Sequence, residues 1–310
     1  MIDLKNSVLQ KINNDEFSLR GISLYIKRDD LIHPEISGNK WRKLKYNIEV
    51  CLNGKKEGVL TFGGAYSNHL LATAAACQLV GLKSVGIVRG EELNKDSNHT
   101  LRKCTELGME LKFISREEYR MIPDKSYLAD VAHENPNFQT VPEGGANYYG
   151  MIGCQEILKE IDVEFDAVFV AQGTTATSCG LLLGLQGNQE LYAVPVLKGF
   201  DSVSEMKSIF QFSGMEEEWL EEAFYRLNVL NDYHFDGYGK YDDELLNFIR
   251  DFYTKYNLKL DPIYTGKAMF GLMKELENEK WNNKTVVFIH TGGLQGVESI
   301  EEKSGVRLFN

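Results

Sequence analysis

Short apolar runs, several bounded by glycine, alternate with helix-patterned segments along most of this chain, and that alternation leaves few folds open. One series reads as strand 58–62, helix 70–79, strand 84–88, helix 97–107 and strand 111–114. A second reads as strand 167–171, helix 180–185 and strand 191–196. It continues as an acidic helical stretch over 201–227, helices over 242–256 and 266–277, and strand 285–289. Apolar strands bounded by glycines and alternating with helices indicate parallel sheets covered on both faces. A Pro- and Asn-containing region around 135–147 separates the series, which predicts two α/β domains with a cleft between them. The expected division is a larger domain of residues 1–50 and 155–310, with a smaller α/β domain of 51–154 inserted into it. Ligands of such folds collect where strand carboxyl ends lead into helix N-termini.

With 310 residues the chain is long enough for that arrangement and a substantial core. Its net charge of −11 speaks against nucleic acid and anionic membranes as partners, so an anionic ligand must be caught by local dipoles and a few cations. Five scattered cysteines, Cys51, Cys77, Cys104, Cys154 and Cys179, form neither a disulfide framework nor a zinc pattern, and a reducing compartment is expected. The first ten residues lack a signal-peptide core, and no apolar run reaches membrane-spanning length. A cytoplasmic protein without a metal is the expectation.

Ser37-Gly38-Asn39-Lys40 is a small flexible turn opening a helical stretch. A lysine at the positive end of a helix dipole is disfavoured as an ammonium, so its free amine becomes available to condense with an aldehyde. Four loops fall at strand ends: Gly63-Gly64-Ala65-Tyr66-Ser67-Asn68, Glu143-Gly144-Gly145-Ala146-Asn147, Gly173-Thr174-Thr175-Ala176-Thr177 and His290-Thr291-Gly292-Gly293. The threonine loop is the best phosphate candidate, because small residues, hydroxyls and N–H groups at a helix start can surround an anion. It lacks the Gly-Lys-Ser/Thr ending of an ATP loop, and GxGxxG is absent, so a small phosphate ester fits better than a nucleotide. Ser67-Asn68 offers compact polar groups at another helix start. His69 and His290 read as hydrogen-bonded structural histidines.

Together these segments resemble one family. Lys27-Arg28-Asp29-Asp30-Leu31 precedes Gly38-Asn39-Lys40 with Arg42-Lys43-Leu44. The Gly63-Gly64 and Ser67-Asn68 loop, Pro142-Glu143-Gly144-Gly145 and the threonine loop follow. Leu260-Asp261-Pro262-Ile263-Tyr264-Thr265-Gly266-Lys267-Ala268-Met269 and His290-Thr291-Gly292-Gly293 complete the order. The chain resembles, over nearly its whole length, the pyridoxal-phosphate enzymes of the 1-aminocyclopropane-1-carboxylate deaminase and D-cysteine desulfhydrase family, of tryptophan-synthase-β-like fold. The resemblance implies pyridoxal 5'-phosphate as cofactor, a small amino acid as substrate, a lyase or hydrolase that deaminates, and a homodimer.

It also implies roles. Lys40 matches the lysine that binds the cofactor and moves protons. Asn68 matches the asparagine on the cofactor's ring hydroxyl, and Ser67 the serine at the substrate carboxylate. Thr174, Thr175, Ala176 and Thr177 match the phosphate loop, which departs from the family's glycine-containing patterns by carrying Thr175-Ala176. Tyr264 matches the aromatic residue against the pyridine ring, and Tyr238 a second active-site tyrosine. His69 follows the Ser-Asn pair where ring-opening deaminases have glutamine, beside the substrate. Thr265 occupies the position facing the pyridine nitrogen, where ring-opening deaminases resemble one another in having glutamate and desulfhydrases resemble this chain. A carboxylate there makes a strong electron sink, whereas a hydroxyl makes a weaker one. The expected activity is therefore α,β-elimination on D-cysteine, giving pyruvate, ammonia and sulfide. Ring opening to 2-oxobutanoate and ammonia is the alternative, and a non-catalytic cofactor-binding protein is the alternative of another class.

Overall fold

The computed structural model describes residues 2–122, 124–215 and 217–309. Ten strands are described: β1 Leu9–Ile12, β2 Ser23–Lys27, β3 Gly58–Gly64, β4 Lys83–Arg89, β5 Met109–Ile114, β6 Phe138–Val141, β7 Ala167–Gln172, β8 Glu190–Pro195, β9 Leu227–Val229 and β10 Thr285–Ile289. They form a six-stranded sheet in the order β1-β2-β10-β7-β8-β9 and a four-stranded sheet in the order β5-β4-β3-β6. Every pairing is parallel except β1 with β2, which run antiparallel from Leu9 opposite Lys27. The α/β class with parallel-dominated, helix-flanked sheets agrees with the expectation.

Burial explains why the strands read as continuous apolar runs. All six residues of β7 are buried. Ala167, Phe169 and Ala171 face one core with helices Asp243–Tyr256 and Thr265–Glu275, while Val168 and Val170 face another with helices Tyr148–Lys159 and Ala176–Gly184. With no solvent face, the period-two alternation of polar and apolar residues has nothing to record. Each fully buried Phe or Val of this kind contributes roughly 1.5–3 kcal/mol.

Both sheets are wound the same way. β3, β4 and β5 step outward in sequence and β6 returns to the far side of β3; β7, β8 and β9 do likewise and β10 returns beside β7. Strand order thus reverses between β3 and β6 and again between β7 and β10. The loops at the ends of those four strands, 63–68, 143–147, 173–177 and 290–293, are the four singled out from sequence, now at the switch points where α/β sheets bind ligands.

Two expectations need correction. The acidic stretch 201–227 is helical as expected but ends in a strand: helix Ser202–Phe212 stops at Ser213-Gly214, where Gly214 takes a left-handed φ of +75°, helix Glu217–Phe224 follows, and Leu227 opens β9. The region around 135–147 is not only a separator, since it contains β6, which pairs with β3.

Candidate functional site

Gly38 fixes where the helix Asn39–Asn53 begins. Its φ of +66° is left-handed, and a Cβ there would lie 1.9 Å from the Thr291 carbonyl oxygen, so only glycine lets the turn close on the 290–293 loop. Lys40 follows in the first helical turn, as the sequence predicts. Its Nζ donates to Asn39 Oδ1 at 2.7 Å, and Asn39 Nδ2 donates to Thr177 Oγ1 at 2.8 Å, so one amide joins the lysine to the threonine loop. Burial, aided by the charge of Lys43, pulls the Lys40 amine down to about 7 against the opposing pull of Asp261. Desolvation does most of what the sequence assigned to the helix dipole, and the outcome is the same: a free amine near neutral pH.

The helix Ala176–Gly184 starts with no side-chain cap from Thr175, unlike helix Asn68–Val80, which Ser67 caps, and helix Tyr148–Lys159, which Asn147 caps. Its first N–H groups stand ready for an anion. Thr175, Ala176 and Thr177 are buried there and Thr174 is half-buried. Lys43 Nζ donates to Thr174 Oγ1 at 3.2 Å, bringing to the loop a buried amine that desolvation pushes below its ordinary range. The sequence marks Lys43 only as part of the Arg42-Lys43-Leu44 run and assigns it no role. Its position one turn after Lys40, on the same helix face, was the available signal.

Ser67 accepts from Leu70 N at 3.3 Å, which leaves its own proton free. Asn68, half-buried, opens the helix, and its amide makes no hydrogen bond among the described residues. His69 lies behind them, buried. Thr61 Oγ1 donates to the Val141 carbonyl at 2.8 Å, so His69 Nε2, 2.9 Å from that hydroxyl, must be the N–H donor. His69 Nδ1 is then a bare acceptor, and it has no partner among the described residues. Burial first, then Lys43 and Lys40, push this histidine down to about 3, so it stays neutral. His290 is the structural histidine expected, with Nε2 2.7 Å from the Lys259 carbonyl and Nδ1 accepting from Gly292 N.

Tyr264 stands beside the threonine loop: a Cβ on Gly173 would come within 2.9 Å of its Cε1. Its hydroxyl meets Tyr238 Oη at 3.3 Å, with the rings edge-to-face. Burial and then Tyr238 raise the Tyr264 phenol well above its ordinary range. The Tyr238 loop is tied to helix Thr265–Glu275 by Lys267, whose Nζ donates to the carbonyls of His234 and Gly237. Thr265, fully buried, donates from Oγ1 to Asp261 Oδ1 at 2.7 Å and accepts from Asp261 N at 2.9 Å. Asp261 is the second residue that sequence reading left unused, although it stands inside the longest motif. Asn47 and Asn147 exchange amide hydrogen bonds and so hold the 143–147 loop against the Lys40 helix.

Of the residues predicted from sequence, Ser67, Asn68 and His69 come from the loop and helix start after β3, and Thr174, Thr175, Ala176 and Thr177 from those after β7. Lys40 lies in the first turn of the helix after β2, Tyr238 follows β9, and Tyr264 and Thr265 stand where helix Thr265–Glu275 begins. Hydrogen bonds join Lys40 through Asn39 to Thr177, and Tyr264 to Tyr238. An aldehyde-bearing phosphate ester with an aromatic ring fits them: Lys40 offers a free amine, the uncapped helix start with Thr174 and Lys43 offers an anion site, and Tyr264 offers an aromatic wall. No group of metal-ligating side chains occurs among the described residues.

Comparison with known proteins agrees with this chemistry. The family model described as pyridoxal-phosphate dependent enzyme matches residues 7–292. A Pyrococcus horikoshii protein named as a candidate 1-aminocyclopropane-1-carboxylate deaminase is 33% identical over 89% of this chain and 86% of its own. The D-cysteine desulfhydrase of Yersinia pestis is 30% identical over 88% of this chain and 87% of its own. The crystal structure of an ACC deaminase homologue superposes with a TM-score of 0.79 at 26% identity, over 99% of this chain and 96% of that one.

Proposed function

This chain belongs to the pyridoxal-phosphate dependent enzymes, of fold type II, and we propose that it eliminates the β-substituent of a small amino acid, D-cysteine or a close analogue. The overall reaction is D-cysteine plus water to pyruvate, ammonia and sulfide. The observation that carries the reading is the Lys40 amine, held near neutrality and joined by Asn39 to the threonine loop.

Bound pyridoxal phosphate supplies an aldehyde that tethers the substrate's nitrogen and a ring that takes up the electron pair left on its α-carbon. Lys40, Tyr264, Asn68 and Thr265 would hold the ring, and Thr174, Thr175, Ala176, Thr177 and Lys43 its phosphate. Lys40 Nζ acts as general base on the α-proton, a task that suits an amine titrating near 7. The free proton of Ser67 Oγ and the helix start behind it hold the substrate carboxylate. Tyr264 donates to Tyr238, so the Tyr238 proton is available to the departing sulfur. His69 Nδ1, neutral and unpartnered, would be an acceptor beside the Ser67-Asn68 loop. Of the two classes implied at the outset, lyase fits and hydrolase does not: relatives at this similarity include desulfhydrases, and the bond broken in the site is broken by elimination, with water adding afterwards.

Thr265 favours elimination over ring opening, because it brings no carboxylate directly to the ring nitrogen. Ring opening of 1-aminocyclopropane-1-carboxylate is the second reading, kept because a relative carries that name. We also propose a cytoplasmic homodimer. All five cysteines are free and buried, and no helix among the described residues is long and apolar enough to cross a membrane. The division into residues 51–154 and the remainder is proposed as the pair of bodies that close on the substrate.

The test is a side-by-side assay of the two substrates after cofactor loading. Wild-type protein acquires a visible cofactor band and releases sulfide and pyruvate from D-cysteine, while Lys40→Ala does neither. Ring opening faster than sulfide release reverses the substrate preference. A band that no amino acid perturbs leaves only a cofactor-binding protein.

A further inference from the structure

We propose that Asp261 is a positioning residue that acts through the Thr265 hydroxyl to keep the cofactor's pyridine nitrogen protonated. The inference rests on the reading above, in which Thr265 faces that nitrogen. A hydroxyl has one proton and two lone pairs. The Thr265 proton goes to Asp261 Oδ1 at 2.7 Å, since a carboxylate can only accept, and one lone pair takes the Asp261 N–H at 2.9 Å. What remains toward any ligand is a single lone pair. Thr265 can therefore accept from a protonated ring nitrogen but cannot donate to a bare one.

The carboxylate is in no position to release the hydroxyl. Asp261 is 1% exposed and accepts four hydrogen bonds. Thr265 N and Oγ1 fill Oδ1, and Ile263 N and Tyr264 N fill Oδ2, at 2.7 to 2.9 Å. The 290–293 loop closes over it, where a Cβ on Gly293 would lie 2.8 Å from Oδ1. For the hydroxyl to turn to an unprotonated nitrogen, it would exchange a charge-assisted bond for a neutral one about half as strong. A bare nitrogen would otherwise meet a lone pair with its own lone pair. Asp261's charge also reaches Lys40, Lys267, Tyr238 and Tyr264, the groups that line the site. Thr265 is thus the near end of a carboxylate relay, stronger than a lone hydroxyl and weaker than a carboxylate in direct contact.

A purely structural reading makes Asp261 the cap of helix Thr265–Glu275, satisfying its first N–H groups. The two readings part at the ring nitrogen. Protein loaded with pyridoxal phosphate labelled with 15N in the ring is observed by NMR at neutral pH. Loading is checked independently by the visible band of wild type and its loss in Lys40→Ala. The ring nitrogen resonates at the upfield, protonated position in wild type and in Thr265→Ser. It moves downfield to the unprotonated position in Thr265→Val and in Asp261→Asn. Thr265→Val removes only the hydroxyl and stands alone should Asp261→Asn fail to fold. A downfield resonance in wild type, or an upfield one in Thr265→Val, overturns the relay while leaving the Lys40 reading intact. Absence of the labelled cofactor from wild type overturns both.

Discussion

Capture of the cofactor by the apoprotein follows a titration centred near pH 7, more than three units below that of an ordinary lysine. Lys40 is held at about 7 against an ordinary value of 10.5. At pH 7.5 roughly three quarters of Lys40 is free amine, against about one part in a thousand for an unperturbed lysine, a difference of about 700-fold. Only the free amine attacks an aldehyde, so the second-order capture rate rises through pH 7 and is flat above about 8. The assay is stopped-flow absorbance with pyridoxal, which lacks the phosphate and isolates the amine from the anion site. Lys43→Met removes the neighbouring cation, and the midpoint moves upward while staying below 10.5, because burial remains. The same shift makes the apoprotein's stability depend on pH. Between 7 and 10.5 the unfolded chain carries a proton on this lysine that the folded chain lacks, so stability rises with pH across that window. The cost of the buried cation is complete below 7, at most about 5 kcal/mol. A wild-type midpoint at 9 or above, or a downward move in Lys43→Met, refutes the reasoning.

Three further perturbations follow from the geometry. Gly173→Ala drives a Cβ to 2.9 Å from Tyr264 Cε1 and displaces the ring, so cofactor affinity by absorbance titration falls about tenfold or more, some 1.4 kcal/mol; unchanged affinity argues against Tyr264 as the ring's wall. Arg42→Met strips the fully buried Asp29 of its guanidinium partner at 2.9 Å, and urea denaturation shows a loss of about 3–5 kcal/mol. His69, pushed down to about 3, shows no titration by NMR between pH 5 and 9 and keeps its proton on Nε2; because its folded value lies below its unfolded one, its share of stability is lost as pH falls below about 6.5.

Much of the site could be read from sequence because its parts are glycine-rich loops at the ends of apolar strands, and strand ends in such folds are where ligands sit. Lys40, Ser67, Asn68 and the threonine loop belong to such loops or the helix starts beside them, whereas Tyr264 lies between two helices and stood out only through its motif. Strands β1, β2, β6 and β9 lie outside the two series of alternating apolar and helical runs from which the other strands were legible. The break at Ser213-Gly214 inside the acidic stretch escaped because helical patterning continues on both sides of it. Asp261 was invisible as an actor for a different reason: its partners are backbone N–H groups and one hydroxyl, contacts that residue types do not announce. Lys43 has no role legible in the sequence, because its burial depends on what the loops around it cover, and no local spacing encodes that.

The central claim is that one amine, at Lys40, carries the cofactor. Holoprotein treated with borohydride, digested and mapped by mass spectrometry should bear the reduced pyridoxyl phosphate on the peptide containing Lys40 alone. The label on Lys43 or Lys267 instead, or on no lysine, contradicts the account.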